Sequence, residues 1–166
     1  FCRTGRSTSP SSGASGFGTG AGAAATAAYF TAVLMTFPVE HPSSRPYLVF
    51  ITGSSWPSKL WPESHWVALG KAAVEAGYQV KLPWGGLEER TRAERIANAV
   101  RAEVLPALDL EELSRVFVSA CGIVGVDSGP TSLAAGLGIP GVSIHGATSA
   151  KLTGTQGALQ AHAQAT

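Results

Sequence analysis

The stretch GIVGVDSGPTSLAAGLGIPGVSIHG, residues 122–146, carries the pattern that decides the fold. It begins with an uncharged, β-branched run at 122–126, which is typical of a buried strand. Residues 130–137 have the composition and the N-terminal proline of a short helix. The run GVSIHG at 141–146 follows as the last strand that the sequence predicts. A strand, a helix and a strand in this order indicate a βαβ unit with parallel strands.

The same alternation continues from this unit toward the N-terminus. Asp109 and Glu112 have the spacing of a capping box, which predicts a helix over the residues that follow. The other predicted elements are strands at 47–53 and 78–82, helices at 62–77 and 88–100, and a short strand or extended connection at 102–106. We therefore predict an α/β protein with a Rossmann-like parallel sheet and flanking helices, although the chain has no GxGxxG motif.

The first 46 residues have a different composition from the rest of the chain. Residues 1–28 are mostly Gly, Ala, Ser and Thr, and they cannot bury enough apolar surface to offset their ordering entropy. The apolar run 29–37 is interpreted as a strand or a short helix. A signal peptide at 19–37 is the alternative, although a basic region and a cleavage site are missing. Prolines and serines make 38–46 a linker, so we expect residues 1–46 to be a low-complexity, disordered extension.

Composition and charge argue against several classes of function. The 166-residue chain is 45% hydrophobic, and its formal net charge of +1 gives no electrostatic basis for binding nucleic acid. The two cysteines and four histidines have neither a disulfide framework nor metal-ligand spacing. No apolar run reaches the roughly 18–20 residues that span a bilayer. We therefore expect a folded protein without a metal ion.

Ligands of parallel α/β sheets bind beyond the carboxyl ends of the strands. The loops predicted at that edge are 52–61, 83–87, 105–108 and 127–130. Within 56–66, WPSKLWPESHW, we expect Trp61 and Trp66 to anchor the start and the buried face of the following helix. Lys59 would then be held at the sheet edge, facing the turn at 127–129.

That turn has the features of an anion site. A strand ends at Asp127 and a helix starts after Gly129, which leaves backbone N–H groups at the helix start available to an anion. Ser128 adds a hydroxyl donor, and Gly129 lets a ligand approach the backbone closely. Asp127 would repel a phosphate, so we expect it to accept hydrogen bonds from sugar hydroxyls or backbone amides. An ordinary helix N-cap explains the same pattern equally well.

The first loop contains a single cation, Lys59, which could neutralise a diphosphate. Ser54 and Ser55 could donate hydrogen bonds to the same anion. A solvated lysine and ordinary turn residues are the alternatives. Glu88 begins a helix, where the helix dipole stabilises a carboxylate in any case. His145 follows a strand that ends at the same edge, although a lone histidine is more often structural.

Four motifs together resemble the C-terminal domain of the lipopolysaccharide heptosyltransferase I family, the bacterial ADP-heptose glycosyltransferases of the GT-B fold. They are SSWPSKLWPESHW at 54–66, KLPWG at 81–85, AEVLP at 102–106 and VGVDSGPTSLAAGLGIPGVSIHGAT at 124–148. Each motif is moderately specific, and their order and spacing are highly specific. The resemblance covers residues 47–157.

The resemblance implies one half of a two-domain enzyme. In that family the C-terminal domain binds the donor, ADP-L-glycero-β-D-manno-heptose, and the N-terminal domain binds the acceptor, Kdo–lipid A. Heptose passes to Kdo with inversion and without a metal or another cofactor. The implied function is a glycosyltransferase of lipopolysaccharide core biosynthesis, cytoplasmic and peripheral on the inner membrane.

The resemblance also implies roles for residues of the first three loops. Ser54 and Ser55 match hydroxyl residues near the donor diphosphate. Lys59 matches a donor-binding lysine that stabilises the charge developing on the departing ADP. Glu88 falls where a carboxylate meets the ribose, and Leu108 where an apolar side chain lies beside the adenine.

In the last motif, Asp127, Ser128 and Gly129 match an Asp-Thr-Gly sequence that holds the heptose and the phosphates. The family histidine three residues further on is Ser132 here, so we expect a donor contact to be lost or mediated by water. Inversion needs a general base on the acceptor side, and no residue of this chain can be assigned that role. We expect the base in an acceptor domain that this chain lacks.

From its first residue, Phe1, and the missing acceptor domain, we expect a fragment. The predicted division is an extension at 1–46, an ADP-heptose-binding domain at 47–157 and a tail at 158–166, which is either the start of a helix or a frayed end. Three hypotheses remain: a heptosyltransferase fragment that recognises the donor, a non-catalytic nucleotide-binding or interaction module, and a gene fragment without independent function.

Overall fold

The computed structural model describes residues 45–146, 148–157 and 159–164. The expectations for the N-terminal extension, including the apolar run 29–37 and the alternative signal peptide, lie outside these residues. The strands are β1 Tyr47–Ile51, β2 Gln79–Leu82, β3 Glu103–Val104, β4 Gly122–Val126, β5 Gly141–His145 and β6 Gln160–Gln164. The helices are α1 Glu63–Glu75, α2 Leu87–Val100, α3 Leu110–Val118, α4 Gly129–Gly136 and α5 Ala150–Thr153, and a single 3₁₀ turn spans Pro57–Lys59.

The six strands form one sheet in the order β3-β2-β1-β4-β5-β6, and every neighbouring pair is parallel. The predicted Rossmann-like parallel sheet is therefore confirmed. The chain runs from β1 through β2 to β3 at one edge of the sheet. It then returns to the middle, where β4 lies beside β1, and continues through β5 to β6 at the other edge. The reversal creates a crevice beyond the carboxyl ends of β1 and β4, where ligands of such sheets bind.

Both faces of the sheet are covered because the central strands are apolar on both sides. In β1, Leu48 and Phe50 face the core beneath α1 and α2, whereas Val49 and Ile51 face the core beneath α3 and α4. Successive side chains of a strand point to opposite faces, so one uninterrupted apolar run supplies both cores.

The aromatic anchors of the first loop lie where the sequence indicated. Trp61 and Trp66 are buried, and their rings meet edge to face with centroids 5.0 Å apart. The Trp66 ring also lies 5.4 Å from that of Phe50 in β1. These contacts fix the start of α1 against the sheet and thereby fix the loop that precedes it.

Helix ends follow the predicted signals to within two residues. The capping box of α3 forms, because the Asp109 carboxylate accepts from the Glu112 backbone at 2.8 Å and the Glu112 side chain accepts from the Asp109 backbone at 2.9 Å. Gly77, with φ of +92°, follows the end of α1 in the left-handed conformation that glycine tolerates best.

The prediction for the C-terminal tail was wrong. Residues 160–164 form β6, which pairs in parallel with β5 from Gly141 opposite Gln160 to His145 opposite Gln164. The sheet therefore extends past the predicted domain boundary at 157. The sequence QAHAQ has weak local strand propensity, since alanine and glutamine favour helices. The unpaired edge of β5 supplies the hydrogen bonds, and Ala161 and Ala163 pack against the core, so tertiary context overrides the local preference.

Candidate functional site

A cavity of about 450 Å³ opens at the carboxyl edge of the sheet, beside the ends of β1 and β4. All four loops selected from the sequence contribute to its wall. They provide residues 53–56 with Lys59, residues 83–85, Pro106 with Leu108, and residues 127–130. The predicted convergence of these loops is confirmed.

The Lys59 ammonium is held against the Asp127 carboxylate, with Nζ 3.0 Å from Oδ2. The side chains are 23% and 11% exposed, respectively, so both stay partly open to the cavity. Pro57 begins the 3₁₀ turn that presents Lys59, and the Lys59 backbone N–H donates to the carbonyl of Trp56 at 2.9 Å. The expectation that Lys59 faces the turn after β4 is confirmed.

A second donor reaches the same carboxylate oxygen. The hydroxyl of Thr148, just after β5, donates to Asp127 Oδ2 at 2.9 Å. Burial alone would raise the pKa of the Asp127 carboxyl, but the hydrogen bonds from Lys59 and Thr148 outweigh it. The pKa of Asp127 therefore lies below its ordinary value. Sequence reasoning missed Thr148, because residue spacing does not show that the loop after β5 folds back over the end of β4.

The start of α4 is built as an anion-compatible turn. Ser128 occupies the N-cap position in an extended conformation, yet its side chain makes no capping hydrogen bond to the helix. Its hydroxyl instead lies 3.1 Å from that of Thr131, which donates to the carbonyl of Val126 at 2.7 Å. The ordinary N-cap interpretation thus lacks its defining contact. Gly129 is exposed on the cavity wall at the positive end of α4.

The close approach of α4 to β4 depends on Gly125. A Cβ on this residue would collide with the hydroxyl of Thr131 and would lie 3.1 Å from Cβ of Ile51. The missing side chain lets the helix start lie directly over the sheet edge, which places its N–H groups at the cavity.

The loop after β1 contributes hydroxyls and an aromatic ring. Ser54 and Ser55 both line the cavity, as the sequence analysis predicted, and Ser54 Oγ accepts from the Trp56 backbone at 3.3 Å. The Trp56 side chain also lines the cavity and is 65% exposed. Trp56 is the only tryptophan of this loop that does not anchor the fold.

The structure directs Glu89 into the cavity, and not Glu88, which the sequence analysis had selected. Glu88 is exposed and does not line the cavity, whereas Glu89 does. Because α2 begins at Leu87, adjacent residues point about 100° apart around its axis, and Glu89 is the one directed inward. Its carboxylate accepts from the Gly85 backbone at 2.7 Å, and its Oε1 would lie 2.7 Å from a Cβ on Gly53.

One wall of the cavity is apolar. Leu108, predicted to lie there, is half-buried beside Pro106 and Leu113. Trp84 also lines this wall, and its indole N–H donates to the carbonyl of Leu105 at 2.7 Å. Trp84 was missed as a site residue, although KLPWG had already placed it in a loop at the carboxyl edge.

Ser132 was also predicted at the site, and the structure places it elsewhere. Ser132 is exposed and is not part of the cavity wall, whereas the preceding Thr131 is buried against β4. The two neighbouring positions again differ by about 100° around the helix axis, and a serine side chain is too short to reach back.

Further along the sheet edge, His145 is almost completely buried, with 1% of its surface exposed. Its Nε2 lies 2.9 Å from Ser143 Oγ, and its Nδ1 lies 3.4 Å from Thr148 Oγ1. Burial lowers the pKa of His145, against the opposing effect of the Asp127 carboxylate. Within the described residues no cluster of His, Cys, Asp and Glu could hold a metal ion, and none of the helices is long and apolar enough to cross a membrane.

Comparison with known proteins gives one consistent family. Residues 20–165 match the sequence model of Glycosyltransferase family 9 (heptosyltransferase). The match begins well before residue 47 and ends after residue 157. It therefore includes much of the segment that composition alone assigned to an unrelated extension.

Curated relatives match about 70% of this chain. Lipopolysaccharide heptosyltransferase 1 of Pseudomonas aeruginosa is 43% identical over 118 residues, which are 70% of this chain and 33% of that protein. The enzyme of the same name from Salmonella typhimurium is 38% identical over 69% of this chain and 36% of its own length. The chain thus spans about a third of the length of the curated relatives it matches.

Solved structures agree with the fold. Escherichia coli heptosyltransferase WaaC with ADP superposes with a TM-score of 0.71 and 35% identity over 81% of this chain and 43% of that one. The same enzyme with ADP-2-deoxy-2-fluoro heptose gives a TM-score of 0.68 and 34% identity, over 81% and 42%.

Proposed function

The chain belongs to glycosyltransferase family 9, the heptosyltransferases, and from this we propose that it forms the donor-binding half of an enzyme that transfers heptose from ADP-heptose. The observation that carries this proposal is the contact between Lys59 and Asp127 at the mouth of the cavity. Two solved structures of one relative are described as complexes with ADP and with ADP-2-deoxy-2-fluoro heptose, which supports the same class of donor.

Lys59 is assigned to the donor diphosphate. An ammonium group has three hydrogens, so the contact with Asp127 leaves two for phosphate oxygens. As the bond to the sugar breaks, negative charge grows on the departing ADP, and a fixed ammonium stabilises that charge more than it stabilises the bound donor. Lys59 therefore serves both binding and departure of the leaving group.

The remaining donor contacts follow from the cavity wall. Ser54, Ser55 and the turn at 128–129 provide hydroxyl and backbone donors for phosphate oxygens. Asp127 orients Lys59 and accepts from a heptose hydroxyl. Glu89, in place of Glu88, binds the ribose hydroxyls, because its carboxylate is the one that reaches the cavity.

The adenine is assigned to the apolar wall. Trp84, Pro106 and Leu108 provide flat and aliphatic surfaces at the side of the cavity next to β2 and β3. Such surfaces suit a planar base, which gains from leaving water and from stacking. The donor would therefore lie across the switch point, with its base over β2 and β3 and its diphosphate over β1 and β4.

The general base for the acceptor is assigned outside the described residues. Inversion requires a base that takes the acceptor proton on the face opposite ADP. Asp127 is a poor candidate, since its contacts hold its pKa below the ordinary value. We propose that the acceptor, Kdo of lipid A, and the base belong to the part of the enzyme that this chain does not span. In that assembly the protein would be cytoplasmic and peripheral on the inner membrane.

A non-catalytic nucleotide-binding module is the second candidate. It is favoured by Ser132, which stands at the family's histidine position and does not reach the cavity. Loss of a charge-assisted hydrogen bond to phosphate would weaken donor binding by roughly ten- to a hundredfold. In this second candidate the chain binds the nucleotide and does not catalyse transfer.

Two measurements test the proposal and separate the candidates. Thermal unfolding is followed with ADP-heptose, ADP and UDP-glucose, each at millimolar concentration. We expect ADP-heptose and ADP to raise the melting temperature and UDP-glucose to leave it unchanged. Heptose transfer to Kdo–lipid A is then assayed after adding the acceptor half of the Pseudomonas relative. Heptose transfer would support the enzyme half, and nucleotide binding without transfer would support the non-catalytic module. If neither ADP-heptose nor ADP raises the melting temperature, both candidates are contradicted.

A further inference from the structure

A line of polar side chains runs beneath the end of β5 and leads to the candidate site. From β6, His162 Nδ1 lies 2.7 Å from Ser143 Oγ, and Ser143 Oγ lies 2.9 Å from His145 Nε2. His145 Nδ1 then lies 3.4 Å from Thr148 Oγ1, which donates to Asp127 Oδ2 at 2.9 Å. The donor-binding roles proposed above use only Asp127 from this line.

The inner members of the line lie where apolar side chains would be expected. Ser143 and His145 are each 1% exposed, on the face of β5 opposite to Val142 and Ile144, which belong to the hydrophobic core. Burying a hydroxyl and an imidazole costs free energy unless each polar atom has a partner. Here both ring nitrogens of His145 have one.

When the His145 ring is neutral, the carboxylate at one end fixes the direction of every hydrogen bond in the line. An ionised Asp127 only accepts, so Thr148 uses its single hydroxyl hydrogen on Oδ2. The contact between Thr148 and His145 therefore requires a hydrogen on Nδ1. A neutral imidazole with Nδ1–H has a lone pair on Nε2, which accepts from Ser143. Ser143 in turn accepts from Nδ1–H of His162.

We propose that His145 and Thr148 are positioning residues that hold the Asp127 carboxylate toward Lys59, so that the ammonium stays aimed at the donor diphosphate. The role rests on the proposed donor site. Lys59 and Thr148 both donate to Oδ2, from the loops after β1 and after β5. Donors from these two loops restrict the orientation of the carboxyl group more than either donor would by itself.

The imidazole fixes Thr148 in the same way. A threonine hydroxyl rotates freely about its C–O bond, and acceptance from His145 Nδ1–H leaves its own hydrogen directed at Asp127. The titratable groups that face this line are Asp127, Lys59, His145 and His162. Burial lowers the pKa of His145 and keeps the ring neutral at pH 7, which the bond from Ser143 to Nε2 requires.

The tautomer of His145 in the wild-type chain is the first test. Nitrogen-15 NMR of the histidine rings at pH 7 distinguishes Nδ1–H from Nε2–H, with His145→Gln used for assignment. We expect a neutral ring that carries its proton on Nδ1. A neutral Nε2–H ring or an imidazolium at this pH would overturn the direction of the line and the proposal with it.

The second test compares Thr148→Val with Thr148→Ser. Valine keeps the shape of threonine without the hydroxyl, and serine keeps the hydroxyl. Thr155→Val is the control, since it removes a buried threonine hydroxyl that donates to Ser143 and does not contact Asp127. The readouts are the Asp127 pKa from carboxyl carbon-13 shifts and the dissociation constant for ADP-heptose.

With Thr148→Val we expect the pKa of Asp127 to rise and binding to weaken roughly tenfold, as for loss of a hydrogen bond to a charged group. Thr148→Ser should restore both values, and Thr155→Val should change neither. An unchanged Asp127 pKa in Thr148→Val, or failure of serine to restore it, would overturn the proposal. If the wild-type chain binds no ADP-heptose, the donor site fails, while the tautomer and the Asp127 titration still decide whether the line exists.

Discussion

Lys59 and Asp127 are 68 positions apart in the sequence, and their side chains meet with Nζ 3.0 Å from Oδ2. The contact joins the loop after β1 to the end of β4, the two strands between which the sheet order reverses. Neither loop could form this site alone. A parallel sheet brings both loops to one edge, and Trp61 and Trp66 fix the shape of the first loop there.

Replacement of Asp127 by asparagine should change how the free energy of unfolding depends on pH in the acid range. The folded-state pKa of Asp127 lies below its ordinary value of 3.8, so its contribution to stability is present above that value and is lost as pH falls through the folded pKa. Asp127→Asn should therefore lower the unfolding free energy at pH 6 by about 1 kcal/mol and flatten its fall below pH 4. Urea unfolding between pH 3 and pH 6 measures both effects.

The control is Glu94→Gln, which removes an exposed carboxylate that pairs with Arg90 on α2. Exposed pairs of this spacing contribute only about 0.3–0.5 kcal/mol. Equal pH profiles for Asp127→Asn and the wild type would show that the contact with Lys59 does not stabilise the fold.

Substitution of two glycines by alanine should have opposite effects. Gly125→Ala should destabilise the chain by about 1–3 kcal/mol, because the new methyl group would collide with Thr131 and crowd Ile51. Ile51 cannot move away, since the backbone of β1 holds it in place. Gly136→Ala, in α4 with open space around it, should stabilise by up to about 1 kcal/mol through helix propensity. Denaturant titration checks the signs, and a neutral Gly125→Ala would contradict the close approach of α4 to β4.

Glu88→Gln and Glu89→Gln form a matched pair for the ribose assignment. Only Glu89 lines the cavity, so we expect its amide variant to bind ADP-heptose roughly tenfold more weakly and Glu88→Gln to bind as the wild type does. Calorimetric titration of both variants gives the comparison. If Glu88→Gln bound ADP-heptose more weakly than Glu89→Gln did, the assignment of Glu89 to the cavity would be contradicted.

Truncation tests the extension of the sheet beyond residue 157. A chain that ends there lacks β6 and exposes the full edge of β5, so we expect a lower melting temperature and a tendency to aggregate. A chain that ends at residue 164 is the control and should unfold like the full chain. Equal melting temperatures for the two truncations would mean that β6 does not contribute to the folded domain.

The order of elements and the edge that carries the site were predictable, because they depend on local patterns. The run 122–126, the helix start after Gly129 and the capping box at Asp109 each specify their own structure, and parallel topology then brings the loops together. What failed depends on distant contacts. Residues 160–164 form a strand only because β5 offers an unpaired edge, and no local feature of QAHAQ marks it.

The errors within the site have a geometric cause. A shift of one residue in a helix start rotates the next side chain by about 100°, which exchanges Glu88 for Glu89. Thr148 was missed because residue spacing does not show that the loop after β5 reaches Asp127. The relationship between Lys59 and the turn at Asp127 was predicted correctly, because both lie in loops directly after central strands.

The most direct test of the central claim is calorimetric titration of ADP-heptose into the wild-type chain, Lys59→Ala and Lys71→Ala. Lys71 is an exposed lysine of α1 outside the cavity wall, so it controls for the loss of one positive charge. We predict saturable binding to the wild type and to Lys71→Ala with equal affinity, and binding weaker by roughly ten- to a hundredfold in Lys59→Ala. Equal affinity in Lys59→Ala, or no binding by the wild-type chain, would contradict the donor site.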